Sequence, residues 1–307
     1  MPAATVRAQA KINLFLRVVG REATGYHHIE TLFCRIGLAD SVGVSLTSGT
    51  RALDCTGPEI PGEGLGPIEN NLAWRAATAY SERAGWPAGF EIALEKHIPV
   101  RAGLGGGSAD AGAVLRALNA LNPRPLDQPT LEDIAASLGA DVVFLTQDES
   151  PVALARARGD VYTVLAPLDT KPCIIAMPRD GIATRDAYAW IDETRAWTGR
   201  EVPAPATGFR VPVPLTWDDV AKVAHNDFED VVFPRHPRIA ATADWLQHVP
   251  LHRSPTRIVL MSGSGSAILG IPLGRRVERV LLPPPPSDVR AIVSETAERV
   301  ESVRLID

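Results

Sequence analysis

The chain has 307 residues, room for one large domain or two of ordinary size, and its 45% apolar and 22% charged composition suits a globular protein with a real core. A net charge of −5 with no basic run, together with only 6% aromatic residues, argues against a generic nucleic-acid or anionic-membrane surface. No apolar run approaches the ~20 residues that cross a bilayer, no signal peptide is expected, and Cys34, Cys55 and Cys173 are odd in number and lack metal-ligand spacing, as suits thiols of a reducing, cytoplasmic compartment.

Ala10 to Val19 reads as a strand that alternates through Ile12, Leu14 and Leu16. Lys11, inside it, either snorkels or meets an acidic partner. A turn around Gly20 and Gly25 leads to a second apolar stretch, Ile29 to Ile36. Within that turn, Gly25-Tyr26-His27-His28 is either a cluster able to stack on a base and hydrogen-bond its edge or an ordinary polar turn. Pro58 to Pro67 reads as a loop. A helix is predicted from near Asn71, with Ala73, Ala76, Ala77 and Tyr80 on one face and Gly85 as its stop. Phe90, Ile92 and Leu94 then alternate with Glu91, Ala93 and Glu95, the pattern of a half-buried strand.

The most informative stretch follows, Pro99-Val-Arg-Ala-Gly-Leu-Gly-Gly-Gly-Ser-Ala-Asp110. Four glycines in five positions strip the side chains from a short loop, so its amides can converge on an anion. Ala111, Val114, Leu115 and Leu118 continue at the spacing of one helix face, with Ser108 the expected N-cap and an end near Asn122-Pro123. Strand, glycine loop and helix start together predict a phosphate cradle. Gly107 is not followed by Lys-Ser/Thr, which excludes a Walker A loop, and the position a third of the way along the chain excludes a Rossmann fingerprint.

Thr130 with Asp133 has the capping-box pattern of a further helix, whose face is Leu131, Ile134, Ala135 and Leu138 and whose stop is Gly139. Asp141-Val-Val-Phe-Leu145 then reads as a short buried strand, and Asp141 as a turn former or an active-site carboxylate. Strands mixed with helices predict an α/β layered domain over 1–165. Cys173-Ile-Ile-Ala-Met177 is expected to be a strand of a second domain over 166–307. Prolines break all periodicity over 198–215, predicting a long loop or a mobile flap, and Pro283 to Pro286 reads as an extended surface connection. Met261-Ser-Gly-Ser-Gly-Ser266 lies between apolar segments and predicts a second anion- or substrate-facing loop.

With Pro99 to Ser108 as a Pro-x-x-x-Gly-Leu-Gly-type loop, the chain resembles the GHMP small-molecule kinases. Ala10-Lys-Ile-Asn-Leu14, Gly25-Tyr-His27, Gly139-Ala-Asp-Val142, Asn226-Asp227 with Glu229, and Met261 to Ser266 extend the likeness from end to end. The resemblance implies an α/β (α+β, two-domain) fold, a mixed sheet in the first domain, a ferredoxin-like second domain and an active site in the cleft between them. It implies ATP with accompanying Mg2+, and an alcohol acceptor that is a cytidine diphosphate sugar alcohol. It implies no nucleic-acid or membrane partner, and a monomer or homodimer. By the same resemblance Asp141 is the general base and Lys11 its cationic partner. The phosphate loop comprises Pro99, Ala102, Gly103, Leu104, Gly105, Gly106, Gly107, Ser108 and Ala109, with Asn71, Leu72 and Lys96 near the adenine. Asn13, Tyr26, His27 and Tyr188 are the substrate-side residues. The chain departs from the family pattern at Thr24, His28 and Val143.

Overall fold

Two long strands dominate the computed structural model, which describes residues 2–197, 211–249, 257–274 and 284–306. Strands β1 (Ala3–Arg21) and β2 (His27–Thr47) pair antiparallel along nearly their whole length, with Ile12 opposite Cys34 and register shifts between Gln9 and Lys11 and between Asn13 and Phe15. The predicted alternation in β1 is only half of its pattern. From Ala8 to Leu16 both faces are buried, so Lys11 and Asn13 lie under cover opposite Ile12 and Leu14. Polar side chains in such a place need partners, because unpaired polar burial costs roughly 1–3 kcal/mol per group.

β3 (Arg51–Thr56) runs parallel to β4 (Gly89–Glu95), and β5 (Val152–Arg156) and β6 (Val161–Leu165) extend β2 as an antiparallel hairpin, giving a mixed sheet. Four helices cover it: α1 (Leu72–Ala84), α2 (Gly106–Leu121), α3 (Gln128–Leu138) and α4 (Ala140–Thr146). In α1, Asn71 caps by accepting the Ala73 amide and Gly85 ends the helix in the left-handed region, as the sequence predicts.

Three local expectations are corrected. Helix α2 starts after Gly105 (φ +69°), not at Ser108, which sits inside its first turn; no side chain caps it, so its leading amides stay open. The cap of α3 is Asp127, whose carboxylate accepts the Thr130 amide at 3.0 Å, so Thr130 lies within the helix. Residues 141–145 are helix rather than strand. A short run buried on every side carries no period; here α4 is seated so closely on α2 that a Cβ at Gly112 would lie 2.5 Å from the Leu145 carbonyl oxygen.

The second sheet is antiparallel and contains β7 (Pro172–Pro178), β8 (Arg257–Met261), β9 (Ile268–Pro272) and β10 (Val289–Glu295) in the order β10-β7-β9-β8. Counted along the chain that order is fourth, first, third, second, the ferredoxin-like arrangement. Between β7 and β8 lie α5 (Thr184–Thr194), α6 (Trp217–Val223), α7 (Glu229–Val232) and α8 (Pro237–His248). The last strand, β11 (Arg304–Ile306), returns to the first sheet and pairs with β1. Most of the predicted loop 198–215, and Pro283, lie outside the described residues. Among the described residues no helix is long and apolar enough to cross a membrane.

Candidate active site

A cavity of about 400 Å3 opens where β1, the glycine loop, the start of α4 and the 261–266 loop meet. Lys11 reaches it from the covered face of β1, its side chain only 5% exposed. Its ammonium donates to Asn13 Oδ1 at 2.9 Å and stands 3.3 Å from Asp141 Oδ2. Asn13 in turn donates to Thr31 Oγ1 at 2.8 Å, and Thr31 to the Phe15 carbonyl at 2.6 Å. This relay fixes the amide so that its oxygen faces the lysine. Asp141, in the first turn of α4, lies at the end of the helix where the backbone dipole favours an anion. A third of its side chain is exposed to the cavity, whereas the lysine beside it lines the same cavity with its stem almost fully covered.

The glycine loop is held by backbone contacts on both sides. Leu104 O accepts the Lys11 amide at 2.9 Å, and Ala102 O accepts the Ala267 amide at 3.2 Å. Ala102 and Leu104 are buried supports and line neither cavity, and Ala109 is buried in α2. Gly103 (φ +79°) abuts the 261–266 loop, where a Cβ would fall 2.3 Å from the Ser262 carbonyl oxygen. That loop is pinned by Asn226, which donates to the carbonyls of Met261 and Gly263 at 2.7 and 2.8 Å. Glu229 accepts the Met261 amide at 2.6 Å; burial pushes its carboxyl up to about 7.

A second cavity, about 210 Å3, lies on the other side of the loop and is lined by Asn71, Leu72, Lys96, Pro99, Gly106 and Gly107, among others. Gly103, Gly105 and Ser108 face the first cavity. Lys96 does not offer a free ammonium. It donates to Asp40 and, at 2.6 Å, to Asp110 Oδ2, all three groups being buried. Asp40 also accepts the Ile98 amide at 2.7 Å, which ties the strand leading into the loop to the helix leaving it. Burial, with the Asp40 charge adding to it against the pull of Lys96, pushes the Asp110 carboxyl up to about 8.

At the rim of the first cavity, Tyr188 is on the wall and His27 stacks on it, ring centroids 4.6 Å apart and planes at 22°. His27 Nε2 lies 2.7 Å from Asp192 Oδ1, which also accepts from Trp197 Nε1 at 2.7 Å. Tyr26 is exposed and stands off the wall, with the Arg158 guanidinium 4.0 Å from its ring centroid. The structure thus gathers Lys11, Asn13, Asp141 and Tyr188 around one cavity, with His27 one layer behind and Tyr26 at the edge. Sequence reasoning missed Arg158 on the cavity wall, Asp192 behind His27, and the Asp40–Asp110 pair that occupies Lys96. Their sole sequence signal is charge beside an apolar run, and pairing between distant strands decides which such charges meet.

The arrangement is that of a small-molecule kinase of the GHMP type. The family model "GHMP kinases N terminal domain" matches residues 71–148, from the α1 cap to just past α4. A homoserine kinase from Cytophaga hutchinsonii superposes with a TM-score of 0.63 over 99% of this chain and 97% of its own, at 16% identity, and so shares the fold. Nearer likenesses narrow the class. A 4-diphosphocytidyl-2-C-methyl-D-erythritol kinase from Desulfitobacterium hafniense is 35% identical over 268 residues, covering 86% of this chain and 85% of the relative. One from Heliobacterium modesticaldum is 34% identical over 314 residues, covering 96% of each. The crystal structure of a 4-(cytidine 5'-diphospho)-2C-methyl-D-erythritol kinase superposes with a TM-score of 0.72 at 32% identity, covering 95% of this chain and 98% of that one. The chain belongs to the 4-diphosphocytidyl-2-C-methyl-D-erythritol kinase family.

Proposed function

We propose that the chain transfers the γ-phosphoryl group of ATP to the 2-hydroxyl of 4-diphosphocytidyl-2-C-methyl-D-erythritol, giving the 2-phosphate and ADP. This is a step of the methylerythritol phosphate route to isoprenoid precursors. The observation that carries the reading is the Lys11–Asp141 pair, 3.3 Å apart in a cavity that shares the glycine loop with a second cavity behind it. A donor nucleotide in the second cavity would present its phosphates across the loop to an acceptor in the first. Residues 1–165, joined by β11 from the end of the chain, are then the nucleotide half and the rest of 166–307 the acceptor-side half, and the free cysteines fit a cytoplasmic enzyme.

The acceptor is a tertiary alcohol, crowded and weakly nucleophilic. Carboxylates as a class, with pKa near 4, are far too weak to ionise an alcohol in the ground state. In a loose phosphoryl-transfer transition state that is unnecessary, because the hydroxyl proton becomes acidic only as the O–P bond forms. Asp141 orients the hydroxyl and takes its proton late. Lys11, held in line by Asn13, stabilises negative charge between the carboxylate and the phosphoryl oxygens. The open amides at the start of α2 bind the phosphates. Tyr188 and His27 form the aromatic surface for the cytosine, with Tyr26 beside them, and Asn71 and Leu72 border the adenine.

Magnesium accompanying ATP takes most of its ligands from phosphate oxygens and water. Among the described residues no group of three or more His, Cys, Asp or Glu forms a protein cage, and the Ser108 hydroxyl on the cavity wall fits the role of a lone protein donor. When bound, the ion neutralises phosphate charge. An ADP-release assay offered the cytidyl substrate, homoserine and mevalonate separately tests the reading. Turnover is expected with the cytidyl substrate alone, falling about 10²–10⁴-fold in Asp141→Asn and steeply in Lys11→Ala. Turnover of homoserine alone refutes the substrate, and undiminished Asp141→Asn refutes the mechanism.

A further inference from the structure

Arg158 lies on the wall of the catalytic cavity, in the turn between β5 and β6, and the chemistry above gives it no role. The turn is tightly specified. Ala157 adopts φ +57° and Gly159 φ +96°, and a Cβ on Gly159 would come 3.1 Å from Ile29 Cδ1 and 3.5 Å from Ala140 Cβ, the neighbour of Asp141. The Ile29 amide donates to the Ala157 carbonyl at 2.6 Å, and the Arg158 amide to Asp160 Oδ1 at 3.2 Å. A non-glycine residue held in the left-handed region costs about 1–2 kcal/mol and is found where the surrounding structure, often a functional site, insists on it. Here the result is an arginine set on the cavity wall, its guanidinium held against Glu22 and the Tyr26 ring.

That guanidinium is only half used. Nε and Nη2 donate to the two oxygens of Glu22 at 2.8 and 2.6 Å, and the plane lies over Tyr26. A guanidinium has five N–H donors, and the Nη1/Nη2 edge offers a second fork. Among the described residues Nη1 has no partner. Forks of this kind match phosphate oxygens two at a time. The ion pair with Glu22 is exposed, so it orients the side chain without deeply neutralising it. Glu22 is held near 2 by the hydrogen bonds from Arg158 and Thr24, so it remains a carboxylate, and the orientation persists, across the working pH range.

We propose that Arg158 binds the diphosphate bridge of the cytidyl substrate through its free Nη1/Nη2 edge, with Glu22 and the Tyr26 ring holding the guanidinium in place. The assignment rests on the cytidyl reading of this cavity and supplies what that reading lacks, a counter-charge for the dianion that joins the cytidine to the reacting alcohol. Arg158 is then a specificity residue: it rewards a nucleoside diphosphate over the bare nucleoside.

The test compares binding of CDP and of cytidine by calorimetry to the wild-type protein, Arg158→Met and Arg158→Lys, with substrate KM and kcat measured alongside. Wild type is expected to prefer CDP. Arg158→Met is expected to weaken CDP about ten- to a hundredfold, the worth of a charged hydrogen-bonded contact, and to leave cytidine unchanged. KM for the cytidyl substrate rises by a similar factor while kcat and the KM for ATP hold. Arg158→Lys, a point charge without a fork, recovers part of the loss. An unchanged preference for CDP in Arg158→Met overturns the assignment, and so does equal loss of both ligands, which would mean that Arg158 merely shapes the Tyr26 wall. A wild-type protein that binds neither ligand overturns the cytidyl reading itself and the assignment with it.

Discussion

Replacing Gly105 by alanine adds one methyl group at the point where the glycine loop crosses Lys11. Gly105 sits at φ +69°, so any L-side chain there bears a left-handed penalty of about 1–2 kcal/mol. The added Cβ would lie 2.9 Å from Lys11 Cγ and 3.1 Å from its Cε. A lysine stem normally yields, but this one is fixed at both ends. Its backbone amide is bonded to Leu104 O, and its ammonium is held by Asn13 and Asp141. Relief must therefore come from moving the ammonium or the loop, by several tenths of an ångström. The stability cost converts to a fall in Tm of roughly 1.5–3 °C for a chain of this size. A displacement approaching 1 Å at a reacting centre can cost about a hundredfold, so kcat is expected to drop by about 10–100-fold. The checks are saturating ADP-release kinetics and a thermal melt on the same preparation. A lower Tm with kcat within about twofold of wild type would show that the position of Lys11 does not limit the chemistry, and the reasoning would fail.

Lys96→Met leaves Asp40 and Asp110 facing each other without their shared cation. Breaking a buried pair in this way costs about 3–5 kcal/mol, whereas the double change with Asp110→Leu should recover much of it. Urea titration decides: a single mutant within about 1 kcal/mol of wild type would refute the pinning role. Glu229 gives a signed pH effect. Its carboxyl is raised to about 7 in the fold, so between about 4.5 and 7 the native state holds a proton that the unfolded chain has lost. That contribution makes stability fall as pH rises through this window. Glu229→Gln, still able to accept the Met261 amide through its side-chain oxygen, should flatten the slope in melts taken from pH 5 to 8, and an unaltered slope would rule Glu229 out as its source.

Local chemistry carried much of the architecture into the sequence. Asn71 and Gly85 mark the ends of α1 because a cap and a left-handed stop are decided by neighbours in the chain. The glycine loop was legible for the same reason, although its cap was not: Gly105 turns the backbone, and the open amides result from that geometry rather than from Ser108. The 141–145 segment read as strand because Val142 to Leu145, four consecutive buried residues, have no exposed face from which to take a period. The site was legible in part. The motif resemblance singled out Lys11 and Asp141, and the fold set them 3.3 Å apart. Arg158 was invisible because its approach to Tyr26 and Glu22 depends on β5 pairing with β2, more than a hundred residues back. For Lys96 the sequence suggested a place near the adenine but not its partners, because only the fold brings Asp40 and Asp110 up to engage it.

The seam between the glycine loop and the 261–266 loop has a bearing on how such a protein can change over time. It is made of main-chain groups, the Ala267 amide on Ala102 O and the carbonyl oxygens of Ser262 and Gly265 crowding Gly103, with the Ser262 hydroxyl on Gly103 O added. Apart from the glycine itself, few substitutions reach those atoms. Side chains around the seam are therefore free to drift while the two sheets stay fastened at the same point. A chain that shares about a third of its residues with its relatives can in this way keep its two cavities on opposite sides of one loop.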